Sequence, residues 1–294
     1  LDRRARALLE APDEAFALIM EDSGGVAVGW DSRFGEVRDR HVLARLAPGR
    51  SLLEPAIRTA RALDRLSAPM RTELRTRLET WVEAQVGRNL APLRKLAAVA
   101  GDPATSPGVR ALAAMLGDSG GVVPRKTMIG PIAALDHADR QALHRLRIRL
   151  GPLDVFVPAL LKPGAQQWRA ALQSVRSGTP MPVLPPSGAS VLGADADPRG
   201  AAFAYRRLGS EWLRIDLADR LASHAHKVRS AGGADPVDAA LATSVGLSDE
   251  GISRLMTEIG FAKTADAWRW RGRRHRHERA PARPGNAFAA LADL

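Results

Sequence analysis

Apolar residues recur at the three- and four-residue spacing of an α-helix from residue 70 to residue 116. Ser67 and Pro69 stand before the first stripe, where a helix cap and a first helical turn are expected. The stripes consist of Met70, Leu74, Leu78, Trp81, Val82 and Val86, then of Leu93, Leu96 and Ala100 beyond Gly87 and Pro92, and then of Val109, Leu112 and Leu116. The pattern predicts successive helices that pack on one another.

Shorter segments on both sides of these helices have the composition of β-strands. Near the start of the chain, a short helix is followed by strand-like runs at 26–30 and 41–46, between turns rich in glycine and aspartate. Residues 147–158 (RIRLGPLDVFVP) alternate between apolar and polar side chains on either side of Gly151 and Pro152. That alternation around a turn predicts a hairpin.

Helices are predicted on both sides of this hairpin as well. Asp136 and Asp139 form a cap-like pair at the start of the preceding helix, and the following helix carries Trp168. Residues 178–186 (GTPMPVLPP) then contain four prolines, which favour a semi-rigid linker. Beyond this linker, residues 212–217 (WLRIDL) are expected to form a strand that runs into a helix.

Two further helices follow, and the chain between them is short. Asp235 and Pro236 are expected to start the first helix, which ends at Gly246, and Ser248 is expected to cap the second. The short connection suits a helix-turn-helix, and a strand at 268–270 (WRW) would add a wing. Two packed helices with no such motif remain the alternative.

The fold class expected from these elements is mainly α, a multi-helix region with small β-hairpin elements and a C-terminal subdomain that admits a helix-turn-helix or winged-helix-like arrangement. Composition changes along the chain predict five segments. These are a small mixed α/β segment (1–50), a helical subdomain with a hairpin near 147–157 (51–177), a Pro-rich linker (178–190), a C-terminal helical subdomain (191–270) and a basic tail with a terminal amphipathic segment (271–294).

Composition narrows the classes of function. The 294 residues include 43 Lys and Arg against 32 Asp and Glu, a formal net charge of +11, which points towards polyanions. Cysteine is absent, so disulfides, thiolate zinc sites and thiol nucleophiles are excluded. The lack of cysteine also favours a reducing cytoplasm. We find no apolar run long enough for a membrane helix and no signal-peptide core, so no membrane contact is expected.

More than half of the excess charge lies in residues 268–283 (WRWRGRRHRHERAPAR), which contain seven arginines and one acidic residue. Guanidinium groups clamp phosphates and stack on bases, and indole rings offer stacking surfaces to unpaired bases. The candidate contacts are Trp268, Arg269, Trp270, Arg271, Arg273, Arg274 and Arg276. Alternatively, the charges form a solvated tail and the two tryptophans are core residues of a terminal strand.

One short motif resembles that of an enzyme. Residues 117–121 (GDSGG) resemble the nucleophile loop of trypsin-like serine proteases, in which backbone N–H groups beside the serine form an oxyanion hole. That family is an all-β double barrel, whereas the residues before this motif have a helical pattern. Neither His41 nor His137 has the sequence context of a catalytic histidine. A serine hydrolase that uses Ser119 is therefore a remote alternative.

Two pairs of histidines raise the question of a metal site. His224 and His226 are two residues apart on a predicted helix and would point to nearly opposite faces. His275 and His277, beside Glu278, would converge on a strand, but the flanking arginines would repel a divalent cation. We therefore expect no metal and no cofactor in this chain. Phosphate-binding glycine motifs of nucleotide-binding proteins are also missing from it.

Several blocks of the sequence resemble a known family. Residues 147–163 (RIRLGPLDVFVPALLKP), 212–222 (WLRIDLADRLA), 268–274 (WRWRGRR) and 285–294 (GNAFAALADL) resemble the region C-terminal to the motor in bacterial superfamily II helicases related to the mitochondrial degradosome RNA helicase. The blocks also come in the same order, and the resemblance covers roughly residues 40 to 294.

The resemblance implies a longer parent chain with two RecA-like motor domains that couple ATP hydrolysis, with Mg, to strand separation. This chain would be its helical accessory region, next to the motor domains in cis, and would guide single-stranded or partly unwound RNA or DNA. No catalytic residue of the family maps onto this chain. Since accessory domains of such helicases line the channel for the tracking strand, Lys162 and residues 268–276 are the implied contacts.

A second class of function stays open beside this one. The Pro-rich linker and residues 285–294, in which Phe288, Leu291 and Leu294 recur every three residues, also suit a protein-interaction module that recruits a nuclease or another partner. The same C-terminal segment suits a helix packed on its own chain.

Overall fold

The computed structural model describes residues 2–21, 24–30, 41–233, 235–264 and 267–272. It is about 53% helical, with about 20% strand in small antiparallel sheets, which confirms a mainly α chain with small β elements. The helices are α1 (Asp2–Glu10), α2 (Ala68–Gly101), α3 (Pro107–Asp118), α4 (Ile129–Ala133), α5 (His137–Arg145), α6 (Pro163–Ser177), α7 (Pro198–Ala201), α8 (Ile215–Ser230), α9 (Ala239–Val245) and α10 (Asp249–Glu258). In this part of the chain, none of them has the length and apolar character needed to cross a bilayer.

Among the described residues, the strands form four small sheets in which every pairing is antiparallel. They are β1 (Phe16–Met20), β2 (Val26–Trp30), β3 (His41–Ser51), β4 (Glu54–Thr59), β5 (Val122–Pro124), β6 (Arg149–Leu150), β7 (Asp154–Phe156), β8 (Val191–Leu192), β9 (Tyr205–Leu208), β10 (Glu211–Arg214), β11 (Phe261–Lys263) and β12 (Trp268–Trp270). The sheets have the strand orders β1-β2-β3-β4, β5-β7-β6, β8-β10-β9 and β11-β12.

The main core is built around α2, whose apolar stripe is buried as the sequence pattern predicts. Trp81 lies at its centre, with ring centroids 6.0 Å from Phe16 in the first sheet and 5.9 Å from Trp168 on α6. The indole N–H of Trp81 donates to the carbonyl oxygen of Asp13 at 3.0 Å. This one core extends from Ala5 to Leu172 and joins the first sheet to α2, α3 and α6.

Helix α2 continues through the point where the sequence predicts a second helix to begin. Pro92 lies inside it, and Leu90 leaves the helical region with φ −116° and ψ 17°. Proline has no N–H to donate to the preceding turn, and its ring crowds that turn, so the helix bends rather than ends.

The predicted hairpin at 147–158 is confirmed as β6 paired with β7. The cap before it is confirmed as well, since Asp136 and Asp139 each accept a hydrogen bond from the other's backbone N–H. Asp154 departs from the expected alternation, because its carboxylate is buried in the strand that also buries Val155 and Phe156.

The C-terminal helices α8, α9 and α10 and the β11–β12 hairpin surround a second core. The expected start of α9 at Asp235 and Pro236 is wrong. The carboxylate of Asp235 instead accepts the N–H of Val237 in a turn, and Asp238 caps the helix by accepting the N–H of Leu241. Ser248 caps α10 as predicted, by accepting the N–H of Gly251.

A third, smaller cluster lies between these cores and includes Phe156, Tyr205 and Ile215. The Pro-rich segment at 178–186 contains neither helix nor strand, and hydrogen bonds hold it near its start and at its middle. The hydroxyl of Ser174 donates to the carbonyl oxygen of Thr179 at 2.5 Å, and the N–H of Val183 donates to Asp197 at 3.0 Å.

Candidate nucleic-acid interface

The hairpin of β11 and β12 carries the residues that sequence reasoning selected at 268–271. Its register pairs Phe261 with Trp270 and Lys263 with Trp268. Because side chains alternate along a strand, these four residues share one face of the hairpin, and Arg269 lies on the other. The backbone pairing continues past the strand, where the N–H of Arg271 donates to the carbonyl oxygen of Gly260 at 3.0 Å.

The two tryptophans lie on the face that packs towards the second core. Trp268 is half-buried against that core, and Trp270 keeps 37% of its surface exposed. The ring of Trp270 meets Phe261 edge-on at a centroid distance of 5.2 Å and His226 at 5.3 Å. A large part of each indole is thus used in packing, and an exposed part of Trp270 is left at the surface.

Cationic groups surround these rings. The guanidinium carbon of Arg229, on α8, lies 4.3 Å from the centre of the Trp270 ring, and the ammonium of Lys263 lies 5.9 Å from the centre of the Trp268 ring. Arg269 and Arg271 are exposed. None of these four side chains makes an ion pair with a residue that the structure describes. The described residues therefore leave these four charges unpaired.

The sequence analysis does not predict Arg229 and Lys263 as nucleic-acid contacts, although the sequence contains a weak signal for each. Arg229 lies three residues after His226 on α8, so the two share a face of that helix. Lys263 stands directly opposite Trp268 once the hairpin register is known. The register depends on where the turn falls, and the local pattern of the sequence does not give that.

The other selected residues are not gathered at this surface. Lys162 is exposed at the cap position of α6, where its carbonyl oxygen accepts the N–H of Gln166 at 3.0 Å. No hydrogen bond, ion pair or ring contact joins it to the described part of the hairpin. Arg273, Arg274 and Arg276 lie outside the described residues.

The GDSGG motif closes the end of a helix. Ser119 is the C-cap of α3, and its hydroxyl donates to the carbonyl oxygen of Leu116 at 3.2 Å. The backbone N–H groups of Ser119, Gly120 and Gly121 also donate to carbonyl oxygens of α3. The donors that an oxyanion hole would need are thus already used, and the geometry does not favour a hydrolase.

The first histidine pair does not form a metal centre in the described part of the chain, where no cluster of three metal-ligating side chains occurs. The Nδ1 atom of His224 lies 3.9 Å from a carboxylate oxygen of Asp238, and the ring of His226 lies against Phe261 and Trp270. His275 and His277 lie outside the described residues.

Ion pairs that involve two buried aspartates connect the C-terminal elements to β6 and β7. Arg206 on β9 donates from Nη1 to Asp154 at 2.7 Å, and from Nε and Nη2 to Glu258, the last residue of α10, at 2.8 and 2.5 Å. Asp219 on α8 accepts from Arg149 at 2.9 Å. One oxygen of each aspartate has no hydrogen-bond partner among the described residues.

Burial controls the protonation of these aspartates. Removal from water raises the pKa of Asp154, although the guanidinium of Arg206 acts in the opposite direction. Burial likewise raises the pKa of Asp219 against the effect of Arg149. For Arg206, burial alone would lower the pKa, but Asp154 and Glu258 together raise it. The charged form of the arginine is thus fixed by two carboxylates from different elements.

In comparisons with known proteins, no family model, no curated protein and no solved structure matches the chain.

Proposed function

We propose that this chain binds single-stranded nucleic acid through a hairpin surface formed by Arg229, Lys263, Arg269, Trp270 and Arg271. The observation that carries the proposal is that Arg229 lies over the partly exposed ring of Trp270 and Lys263 lies near the ring of Trp268. Arg269 and Arg271 are exposed in the same hairpin region, and none of the four cations has a described ion-pair partner. Arginine contacts phosphate through two parallel N–H donors, and indole adds a stacking surface for a base. The basic residues 273, 274 and 276 continue directly from this surface along the chain.

The hairpin surface suits a strand that lies along it. Arg269 and Arg271 would bind successive phosphates, since both are exposed and only Trp270 separates them in the chain. The exposed part of Trp270 would contact a base, and Arg229, which covers one face of that ring, would turn from the indole to a phosphate. The cation–π contact holds Arg229 in place before the strand arrives.

The order of elements supports a finer proposal about the fold. Helices α9 and α10 are joined by a short turn and are followed at once by the β11–β12 hairpin, which is the order of a helix-turn-helix with a wing. We propose a winged-helix-like subdomain whose wing is the β11–β12 hairpin. Its role would be that of an accessory region in a cytoplasmic superfamily II helicase, with ATP, Mg and catalysis in motor domains outside this chain.

Titration of the whole chain with labelled oligonucleotides tests the proposal. Single-stranded RNA and DNA of about 20 nucleotides are titrated from about 50 to about 200 mM salt. Replacing Arg269 and Arg271 by alanine should lower the affinity and flatten the slope of log affinity against log salt by about 1.4, which is about 0.7 for each lost phosphate contact. Replacing Arg273, Arg274 and Arg276 by alanine measures separately what the basic tail contributes to the affinity and to the salt slope.

Arg61 and Arg65 provide the matched control. Both are exposed on a 3-10 helix about 200 residues before the hairpin in the sequence, and neither makes an ion pair with a described residue. Their replacement by alanine should leave the salt slope unchanged. Absence of association at low salt would overturn the proposal. Equal binding by the wild type and by a variant without all five hairpin and tail arginines would do the same. The ratio of the RNA and DNA affinities identifies the preferred polymer.

A further inference from the structure

A large open cleft lies among helices α2, α3 and α6, and the hairpin surface does not include it. Its volume is about 940 Å³. The floor is made mainly of small side chains, at Ala97, Ala100, Ala113, Ala114, Gly117 and Ala170. Because these side chains project so little, the three helices do not fill the space between them.

The sides of the cleft combine leucines with arginines. Leu52 and Leu53, in the turn between β3 and β4, line one side, and Leu93 on α2 continues the apolar surface. Arg50, Arg176 and Arg199 also line the cleft, whereas Asp118 is the one acidic residue among its described lining residues. The cleft is thus apolar at its floor and positively charged at its edges.

Two of these arginines carry charges that the described residues leave unpaired. Arg50 and Arg176 are exposed and make no ion pair with any described residue. Arg199 contacts Asp197 only at 3.5 Å and is mostly exposed. An occupant with acidic side chains would therefore meet complementary charge at three places.

The lining favours a peptide helix over a nucleic-acid strand. Phe203 is the one aromatic side chain among the described lining residues, and the guanidinium of Arg169 already lies over its ring at 5.1 Å. Stacked bases need several such aromatic platforms, whereas leucine and alanine surfaces accept the apolar face of a helix. A cylinder about 10 Å wide with the volume of the cleft is about 12 Å long, or about two helical turns.

We propose that this cleft docks an acidic amphipathic helix of a partner protein. The apolar side chains at i, i+3, i+4 and i+7 of that helix lie on the accessible alanines of the floor, Ala97, Ala100 and Ala114, and against Leu52 and Leu53. Its Asp and Glu side chains pair with Arg50, Arg176 and Arg199. This site is separate from the hairpin surface, so a protein partner and a nucleic-acid strand bind the chain at the same time.

Peptide display against the immobilised whole chain tests this proposal. A random library of peptides of about 16 residues is selected on the wild type. Two blocking variants are used: Arg50→Glu with Arg176→Glu, which reverses the charge, and Ala97→Trp, which fills the floor from an exposed position. The control is Arg61→Glu with Arg65→Glu, an equal change of charge elsewhere, and circular dichroism confirms that each variant is folded.

The expected result is enrichment of peptides with apolar residues at helical spacing and acidic residues beside them. Their affinity should fall by about tenfold or more in both blocking variants and stay unchanged in the control. Selection of no peptide, of peptides without acidic residues, or of peptides that bind all variants equally would overturn the proposal. Loss of oligonucleotide binding in both blocking variants would assign the cleft to the strand instead, whereas failure of the hairpin surface to bind oligonucleotides leaves this test unaffected.

Discussion

The buried guanidinium of Arg169 donates a hydrogen bond from Nη1 to the carbonyl oxygen of Gly120 at 2.5 Å. Its Nη2 also donates to the carbonyl oxygens of Leu160 at 2.6 Å and Phe203 at 2.9 Å. The side chain is 2% exposed and forms no ion pair with a described residue, and burial lowers its pKa to about 10. A single guanidinium therefore joins α6 to the backbone at three separate places in the chain.

Replacing Arg169 by methionine should lower the free energy of unfolding by about 2–4 kcal/mol, because three carbonyl oxygens lose their donor in a site with little access to water. Urea denaturation followed by circular dichroism measures this change. Arg176→Met, on the exposed face of the same helix, is the control and should change stability by less than about 0.5 kcal/mol. Equal stability of the two variants would show that the hydrogen bonds of Arg169 contribute nothing to the free energy of unfolding.

Gly260 positions the hairpin surface, and alanine should not fit there. Its φ is +103°, and an added Cβ would lie 2.8 Å from the Trp270 ring and 3.0 Å from the backbone of Gly272. Gly260→Ala should lower the free energy of unfolding by about 1–3 kcal/mol and speed hydrogen exchange at the N–H of Arg271, which donates to the carbonyl of residue 260.

Gly101 gives the comparison for this substitution, since it ends α2 and an added Cβ there meets nothing within 4 Å. Gly101→Ala should be neutral or slightly stabilising. If both alanine variants behaved alike, the close approach of Gly260 to Trp270 would have no energetic consequence.

The buried carboxylate of Asp154 should make stability depend on pH. Its pKa is raised in the folded state, so between the ordinary value of 3.8 and the raised value the unfolded chain loses a proton that the folded chain keeps. This contribution to stability is therefore complete below about pH 3.8 and is lost as the pH rises through the folded-state pKa. Asp154→Asn removes the titration while leaving Glu258 to pair with Arg206.

Denaturation of the wild type and of Asp154→Asn from about pH 3.5 to about pH 7 measures the effect. The stability of the wild type relative to the variant should decrease as the pH rises. Asp216→Asn, at a partly exposed ion pair with Arg214, supplies the control. A difference between the wild type and Asp154→Asn that is constant over this range would contradict the prediction.

Ser119 should not react as an activated nucleophile. Its hydroxyl and the neighbouring N–H groups are bound to carbonyl oxygens of α3, and no described histidine bonds to it. A fluorophosphonate probe should therefore leave the chain unlabelled, as judged by intact-mass spectrometry. Labelling of the wild type that is absent from Ser119→Ala would support the serine-hydrolase alternative.

Much of the helical framework was predictable because its determinants are local. The stripe through Trp81, the box at Asp136 and Asp139 and the cap at Ser248 all depend on residues within a few positions of one another. Strands β1 and β4 were missed for the opposite reason. The sequence of β1 (FALIM) is continuously apolar, and that of β4 (EPAIRT) is short and contains proline, so neither shows the alternation of a half-buried strand.

The sequence pattern does not predict which charged side chains are buried. Arg169 lies in a run (QQWRAALQS) that has the composition of a helix surface, yet its acceptors are as far as 49 residues away in the chain. At the hairpin surface, the strand at 268–270 was predicted and is confirmed. The approach of Arg229 to Trp270 depends on how α8 packs on the hairpin, and that is a property of the tertiary fold.

The position of Arg206 has a mechanical consequence for a chain pulled at its C-terminal hairpin. Glu258 is the last residue of α10, and β11 begins three residues later, so tension on the hairpin reaches the carboxylate almost directly. Arg206 passes that load to Asp154 in the main core. Resistance to such a force thus depends on a charged joint that connects α10, β9 and β7.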